Sequence, residues 1–263
     1  MLRSFLVPKS RLFCTVPVTR QILEPGQIAD WIIEQIEHTY VSGLEGKCES
    51  SSYDMSGNAW KYFKLFSGKI KNESKLAATI EDRNQFIHID DSGLDDFDTL
   101  IISKLLRFKC GSAKLLDLNN NPLIGDMGLA HVSRHVLSGE SPVRLRSLFM
   151  SGCGLTDMGV GHLIQPLSNP EHSLQILELR KNSISDHGAE SLANVFMATP
   201  SPVEFSLFLN SNPDIGETGV IALAKAVIEN QGRLKVNLKD SGRGLSEQDK
   251  ADVMRMTKNK LRF

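Results

Sequence analysis

The sequence predicts an α/β solenoid, a short horseshoe of strand–helix units whose parallel strands form one concave sheet. Three observations predict it. A pattern written L-x-L-x-x-N-x-I-x-D-x-G-x-x-x-L-x-x-x-F recurs along the chain, and its copies are spaced almost evenly. Within each copy the apolar spacing changes from two residues, as in a strand, to four, as on a helix face.

The most regular copy carries Leu177, Leu179, Asn182, Ile184, Asp186, Gly188, Leu192 and Phe196. Upstream, Leu148, Met150, Cys153, Leu155, Asp157, Gly159, Leu163 and Leu167 hold the same offsets. Two copies insert a residue at a proline. One runs Leu207, Leu209, Asn212, Pro213, Ile215, Glu217, Gly219, Leu223, Val227, the other Leu116, Leu118, Asn121, Pro122, Ile124, Asp126, Gly128, Val132, Val136. An earlier copy has Ile87, Ile89, Ser92, Leu94 and Asp96, with Asp98 in the glycine place, and a degenerate last one has Val236, Leu238 and Ser241. First positions fall at 87, 116, 148, 177, 207 and 236, in steps of 29, 32, 29, 30 and 29.

Each part of the unit has a physical reason. The L-x-L pair alternates as a strand with one buried face must. The asparagine stands where the chain leaves the strand, and its amide can satisfy turn groups that stacking would bury unpaired. Thr156 and Ser185 suit helix N-caps, and the acid that follows is favoured by the helix dipole. Gly128, Gly159, Gly188 and Gly219 are expected to let helix and strand approach closely. Leu192 and Phe196 present one apolar helix face. No unit buries that face alone, whereas stacking builds a continuous core.

This pattern resembles the leucine-rich repeats of the ribonuclease-inhibitor type, over roughly residues 84–258. The resemblance implies a leucine-rich-repeat solenoid, one strand and one helix per unit, about six units, and a protein-binding concave face. Ribonuclease-inhibitor-type repeats also occur in the inhibitor itself and in the activator of the Ran GTPase. A cytosolic regulator of an enzyme or GTPase is therefore the alternative reading. The inhibitor's cysteine abundance and longer array are missing here, and the activator's acidic tail is replaced by a basic one. No F-box-like segment that would mark a ubiquitin-ligase receptor precedes the repeats.

Outside the array, residues 1–23 carry Arg3, Lys9, Arg11 and Arg20 and no acid. That basic, hydroxylated, acid-poor composition is that of a mitochondrial transit peptide, and Pro8, Lys9 and Arg11 interrupt any secretory apolar core. Arg11-Leu12-Phe13-Cys14 resembles a matrix-protease cleavage site. Residues 24–83 are read as a helical N-terminal cap with a flexible connection. Within it, 27–40 is an amphipathic helix with Ile28, Trp31, Ile32 and Ile36 on one face, 43–58 the connection, and 59–67 and 73–80 shorter helices. Residues 84–263 form the repeat domain, closed by a C-terminal helical cap over 246–258 in which Val253 and Met254 cover the last unit. Presequence, short helical segment and repeats together loosely resemble the architecture of the mitochondrial ATP-synthase subunit s family, without sharing its repeat pattern.

Composition is ordinary for a globular chain of 263 residues, 41% hydrophobic and 23% charged. No stretch approaches the ~20 apolar residues of a membrane span. The four cysteines, at 14, 48, 110 and 153, have neither metal nor disulfide-framework spacing, so a reduced interior is expected. Removing the four basic residues of the leader takes the formal charge from −1 to −5, which argues against broad nucleic-acid binding. The basic Arg255, Lys258, Lys260 and Arg262 could touch RNA, or simply complement a helix C-terminus.

Chemistry is sparse. His131 and His135 lie four apart on a predicted helix but lack a third ligand in sequence, and both are expected to face outward. The glycine-rich stretches 125–128 and 152–154 belong to the repeat and have no phosphate-loop lysine after them. Asp90-Asp91 and Asp95-Asp96 read as a solvated face and a helix start. No catalytic residue, metal or cofactor is assigned, and the chain reads as a non-enzyme.

Function is expected on the concave sheet, where the residue inside each leucine pair and the one after it point outward. One column is His88, Asp117, Phe149, Glu178, Phe208 and Asn237, and the next is Asp90, Asn119, Ser151, Arg180, Asn210 and Lys239. Acids gather at one end and bases at the other, with Phe149 and Phe208 flanking Glu178, a hot-spot composition. Partner-binding residues are thus assigned as His88, Asp90, Asp117, Phe149, Glu178, Arg180, Phe208, Asn210 and Lys239. The expected role is a non-catalytic scaffold in mitochondria, in the matrix or on the matrix side of the inner membrane. There it would bind a protein partner as a subunit or assembly factor of a respiratory complex, ATP synthase, or the mitoribosome and RNA machinery.

Overall fold

The computed structural model describes residues 26, 27, 29, 30, 32, 33, 85–109, 112–199, 203–231 and 233–263. The expected leader over 1–23, the connection over 43–58 and the helices over 59–67 and 73–80 lie outside the described residues.

Strands and helices alternate along the array. In chain order they are β1 (Phe86–His88), α1 (Asp96–Lys109), β2 (Leu115–Asp117), α2 (Asp126–Val132), β3 (Ser147–Phe149), α3 (Asp157–Leu167), β4 (Ile176–Glu178) and α4 (Asp186–Ala198). They continue as β5 (Phe205–Phe208), α5 (Glu217–Glu229), β6 (Leu234–Asn237), α6 (Glu247–Met256) and β7 (Leu261–Arg262). All seven strands are parallel neighbours in the order β1-β2-β3-β4-β5-β6-β7. This is the open sheet of a leucine-rich-repeat solenoid.

Register follows the repeat. Ile87, Leu116, Leu148, Leu177, Leu207, Val236 and Leu261 stand in one row across the sheet, and all seven are buried. Leu192, Phe196, Leu163, Leu223 and Val227 bury the opposing helix faces against them. The unit starting at Leu116 is the longest, and its helix ends in a π-helical turn over Ser133–Leu137.

Two polar ladders join successive units. In the first, the Asn182 side-chain oxygen accepts from the Cys153 and Leu155 amides, while its nitrogen donates to the Met150 carbonyl. Asn121 repeats this towards Ser92, Leu94 and Ile89, and Asn212 towards Ile184 and Leu179. Where asparagine is replaced, Cys153 donates its thiol to the Leu118 carbonyl at 3.2 Å and Ser241 its hydroxyl to Leu209. The asparagine therefore serves the turn of the preceding unit as well as its own.

The second ladder corrects the reading of the aspartate and glycine positions. Asp157 accepts from the amides of Ser185 and Gly188 in the next unit and from the Ser185 hydroxyl. Asp126 does the same for the amide and hydroxyl of Thr156, Asp96 for Gly125 and Gly128, and Asp186 for Gly216 and Gly219. A Cβ placed on Gly159, Gly188 or Gly219 would run into the aspartate of the preceding unit. The glycine makes room chiefly for that carboxylate. Thr156 and Ser185 cap their helices as expected, accepting from Met158 and His187.

Both described ends are covered. The described residues between 26 and 33 are helical, and Ala29, Ile32 and Ile33 are buried. Lys104 of α1 ties this segment down through the Gly26 carbonyl at 3.0 Å and Asp30 at 2.7 Å. At the other end, Ser246 and Asp249 form a capping box for α6. Val253 packs partly against the core. The structure adds a seventh strand that the periodicity did not reveal: β7 is only two residues long, too short to carry a period, yet Leu261 is buried beside Val236.

Candidate partner interface on the sheet face

A strand that buries alternate residues must present the others, and here the presented residues form three columns. Those assigned from sequence are brought together. His88, Asp117, Phe149, Glu178, Phe208 and Asn237 stand side by side in register. The neighbouring column holds Asp90, Asn119, Ser151, Arg180, Asn210 and Lys239. Its polar groups are bonded across strands, with the Asn119 oxygen accepting from the Ser151 amide at 2.6 Å.

A third column was missed. Phe86, Leu115, Ser147, Ile176, Ser206 and Lys235 pair in register at the strand starts. The same alternation would have found them one place before each first leucine. Arg262 was missed as well, and it extends the first column beside Asn237. Phe86 is 55% exposed, while Leu115, Phe149, Ile176 and Phe208 are half-buried. Together they make an apolar band across β1 to β5.

The polar residues between them are matched to one another. The Ser151 hydroxyl donates to Glu178 at 2.8 Å. The Arg180 Nε lies 3.4 Å from that carboxylate as an ion pair, not aligned for a hydrogen bond. Its guanidinium sits 4.7 Å from the centre of the Phe208 ring, a cation–π contact. Asn210 donates to the Asn237 side chain at 2.7 Å. Acids and bases stand at opposite ends: Asp90 and Asp117 beside His88, with Asp117 3.2 Å from the His88 ring, and Lys239 and Arg262 at the other side. Lys239 and Arg262 are exposed, and neither forms an ion pair with a described residue.

Potential metal donors meet where the sequence reading did not place them. The ligand atoms of His88, Asp90 and Asp117 lie within 4.8 Å of one another. The His88 Nδ1 is 3.2 Å from the Asp117 carboxylate, and this hydrogen-bonded pair accounts for their approach. His131 and His135 are half-buried rather than outward-facing. Burial pushes both imidazoles below their ordinary range, with His135 brought down to about 4, and Lys104 and Arg134 nearby add to the shift of His135. Burial likewise pushes the Cys153 thiol up to about 12, so this buried side chain stays protonated and acts as a hydrogen-bond donor. No helix among the described residues is long and apolar enough to cross a membrane.

Residues 172–193 match a family model described as leucine-rich repeat. Among solved structures, the chain is similar to the tropomodulin C-terminal domain of Caenorhabditis elegans, at 16% identity and a TM-score of 0.46, covering 64% of this chain and 93% of that one. It is also similar to actin-binding site 2 of leiomodin-1, at 14% identity and a TM-score of 0.39, covering 72% and 88% respectively.

Proposed function

We propose that the chain is a non-catalytic scaffold whose concave sheet face docks a protein partner in mitochondria, as a subunit or assembly factor of a larger complex. One observation carries the docking reading. Five apolar side chains, Phe86, Leu115, Phe149, Ile176 and Phe208, are presented on a face whose strands are fixed by both ladders. Solvent-facing apolar side chains on a rigid sheet add little to folding and much to association. Ser151 with Glu178 and Asn210 with Asn237 are already bonded across strands, so a partner covers those bonds at small desolvation cost. Mitochondrial placement is supported by the basic, acid-poor composition of residues 1–23.

Two measurements test this reading. A photo-crosslinking residue at position 149 should capture a partner in cells, whereas one at the exposed helix position Met158 should not. Without the crosslinker, Phe149→Ala with Phe208→Ala should weaken recovery of that partner by affinity purification and leave the thermal melt nearly unchanged. A large drop in Tm would make the rings core residues and sink the docking role. For the compartment, a tagged chain should be found in mitochondria with its N-terminus trimmed near residues 13–19. An intact N-terminus in the cytosol removes the mitochondrial part of the proposal.

A further inference from the structure

We infer that the outer, helical side of the solenoid carries a second interface, a groove between α4 and α5 that a second copy of this chain fills across a two-fold axis. This interface is independent of the docking reading, because helices and sheet face lie on opposite sides of the array.

The groove follows from the sequence of α5. An amphipathic helix buries one stripe and leaves the opposite one to solvent. In α5, Gly219, Val220, Leu223, Ala226 and Val227 are buried. The outward ridge, at four-residue spacing, reads Glu217, Ile221, Lys225. Ile221 is 40% exposed in the middle of that ridge, between two charges. Beside it α4 contributes Glu190 and Met197, and with Ala222 these residues line a groove of about 440 Å³. Glu217 and Lys225 are exposed. Neither they nor Glu190 forms an ion pair with a described residue.

Charge selects the occupant. Glu217 and Lys225 stand equally far from Ile221, about 6 Å along the helix axis on either side. A second α5 laid antiparallel about a two-fold axis through Ile221 therefore sets Glu217 against the partner's Lys225. The same axis sets Lys225 against the partner's Glu217, with the two isoleucines meeting between them. A parallel pairing in the same register would set like charges together. Moving the axis to the midpoint of Ile221 and Ile228, which is 47% exposed, would pair those isoleucines but bring the two Lys225 ammonium groups together. The patch is thus complementary to itself in one register, which is what a closed two-fold contact requires.

Analytical ultracentrifugation of the full chain should show a reversible, concentration-dependent dimer that weakens as salt is raised. Glu217→Lys alone, or Lys225→Glu alone, sets like charges opposite each other and should weaken the dimer roughly tenfold or more. Mixing the two variants should restore a dimer, since each lysine then faces a glutamate across the axis. Ile221→Cys should give a disulfide-linked dimer on mild oxidation and Ile221→Arg a monomer, both with a melt close to that of the parent chain. A chain that stays monomeric throughout, a dimer indifferent to the single charge reversals, or variants that fail to recover on mixing would each overturn the proposal. Mixing also separates assembly from folding, because a variant destabilised by its own substitution stays so beside its counterpart. Crosslinking from position 149 reads the sheet face separately: a monomer that still captures a partner there removes this dimer and leaves the docking reading standing.

Discussion

The Asp157 carboxylate fills the space that a side chain on Gly188 would occupy, and it binds the Gly188 amide there. Acid and glycine are thus two halves of one contact between consecutive units.

That contact can be separated by a double-mutant cycle in urea. Gly188→Ala should destabilise by about 1–3 kcal/mol through overpacking. Asp157→Gly should cost about 1–3 kcal/mol for the amides left without a partner. In the Asp157→Gly background, Gly188→Ala should cost much less, leaving only its contact with Ile184. Additive costs would show that the glycine does not serve the aspartate.

Leu179 is fully buried between β4 and α4. Leu179→Ala should lower unfolding free energy by about 2–5 kcal/mol, the cost of a core truncation. Chemical denaturation reads it directly, and a loss below ~1 kcal/mol would contradict its place in the stack.

Stability should fall on mild acidification. His135 titrates at about 4 when folded against 6.5 unfolded, so the unfolded chain takes up the proton first as pH drops. Its contribution is complete above pH 6.5 and is lost as pH falls towards 4, and His131 and His172 shift in the same direction. His135→Gln should flatten the stability profile across that window. An unchanged slope would refute the assignment to His135.

Cys153 should resist alkylation in the native state and react on unfolding, as read by peptide mapping of this one residue. Its folded pKa of about 12 exceeds the ordinary 9.0. Any contribution it makes to stability is therefore intact below pH 9 and disappears as pH climbs towards 12. Rapid native labelling at pH 8 would place the thiol at the surface instead.

The array was legible because its periodicity repeats: Leu177 and Leu179 announce a strand, and Leu192 with Phe196 a helix. The partner of each ladder residue was not, because Asp157 meets Gly188 across a unit boundary, 31 positions away. β7 was invisible for a different reason, since two residues are shorter than any period. On the sheet face, His88 to Lys239 could be placed from alternation. The stacking of Arg180 on Phe208 depends on a side-chain conformation, which sequence spacing does not specify. Phe86, Leu115 and Ile176 were legible in principle and overlooked.

The two ladders also make the protein divisible. Asp126 offers to Thr156 what Asp157 offers to Ser185, so any acid can serve the unit after next in its neighbour's absence. Excising a whole repeat, 148–176, would bring Asp126 against Ser185 and Gly188, and Leu118 against Asn182, so that both ladders can re-form. Excising half of one would orphan both sets. Such a gene can lengthen or shorten its product only in whole turns of the solenoid, and each step changes the distance between the acidic and basic ends by one strand.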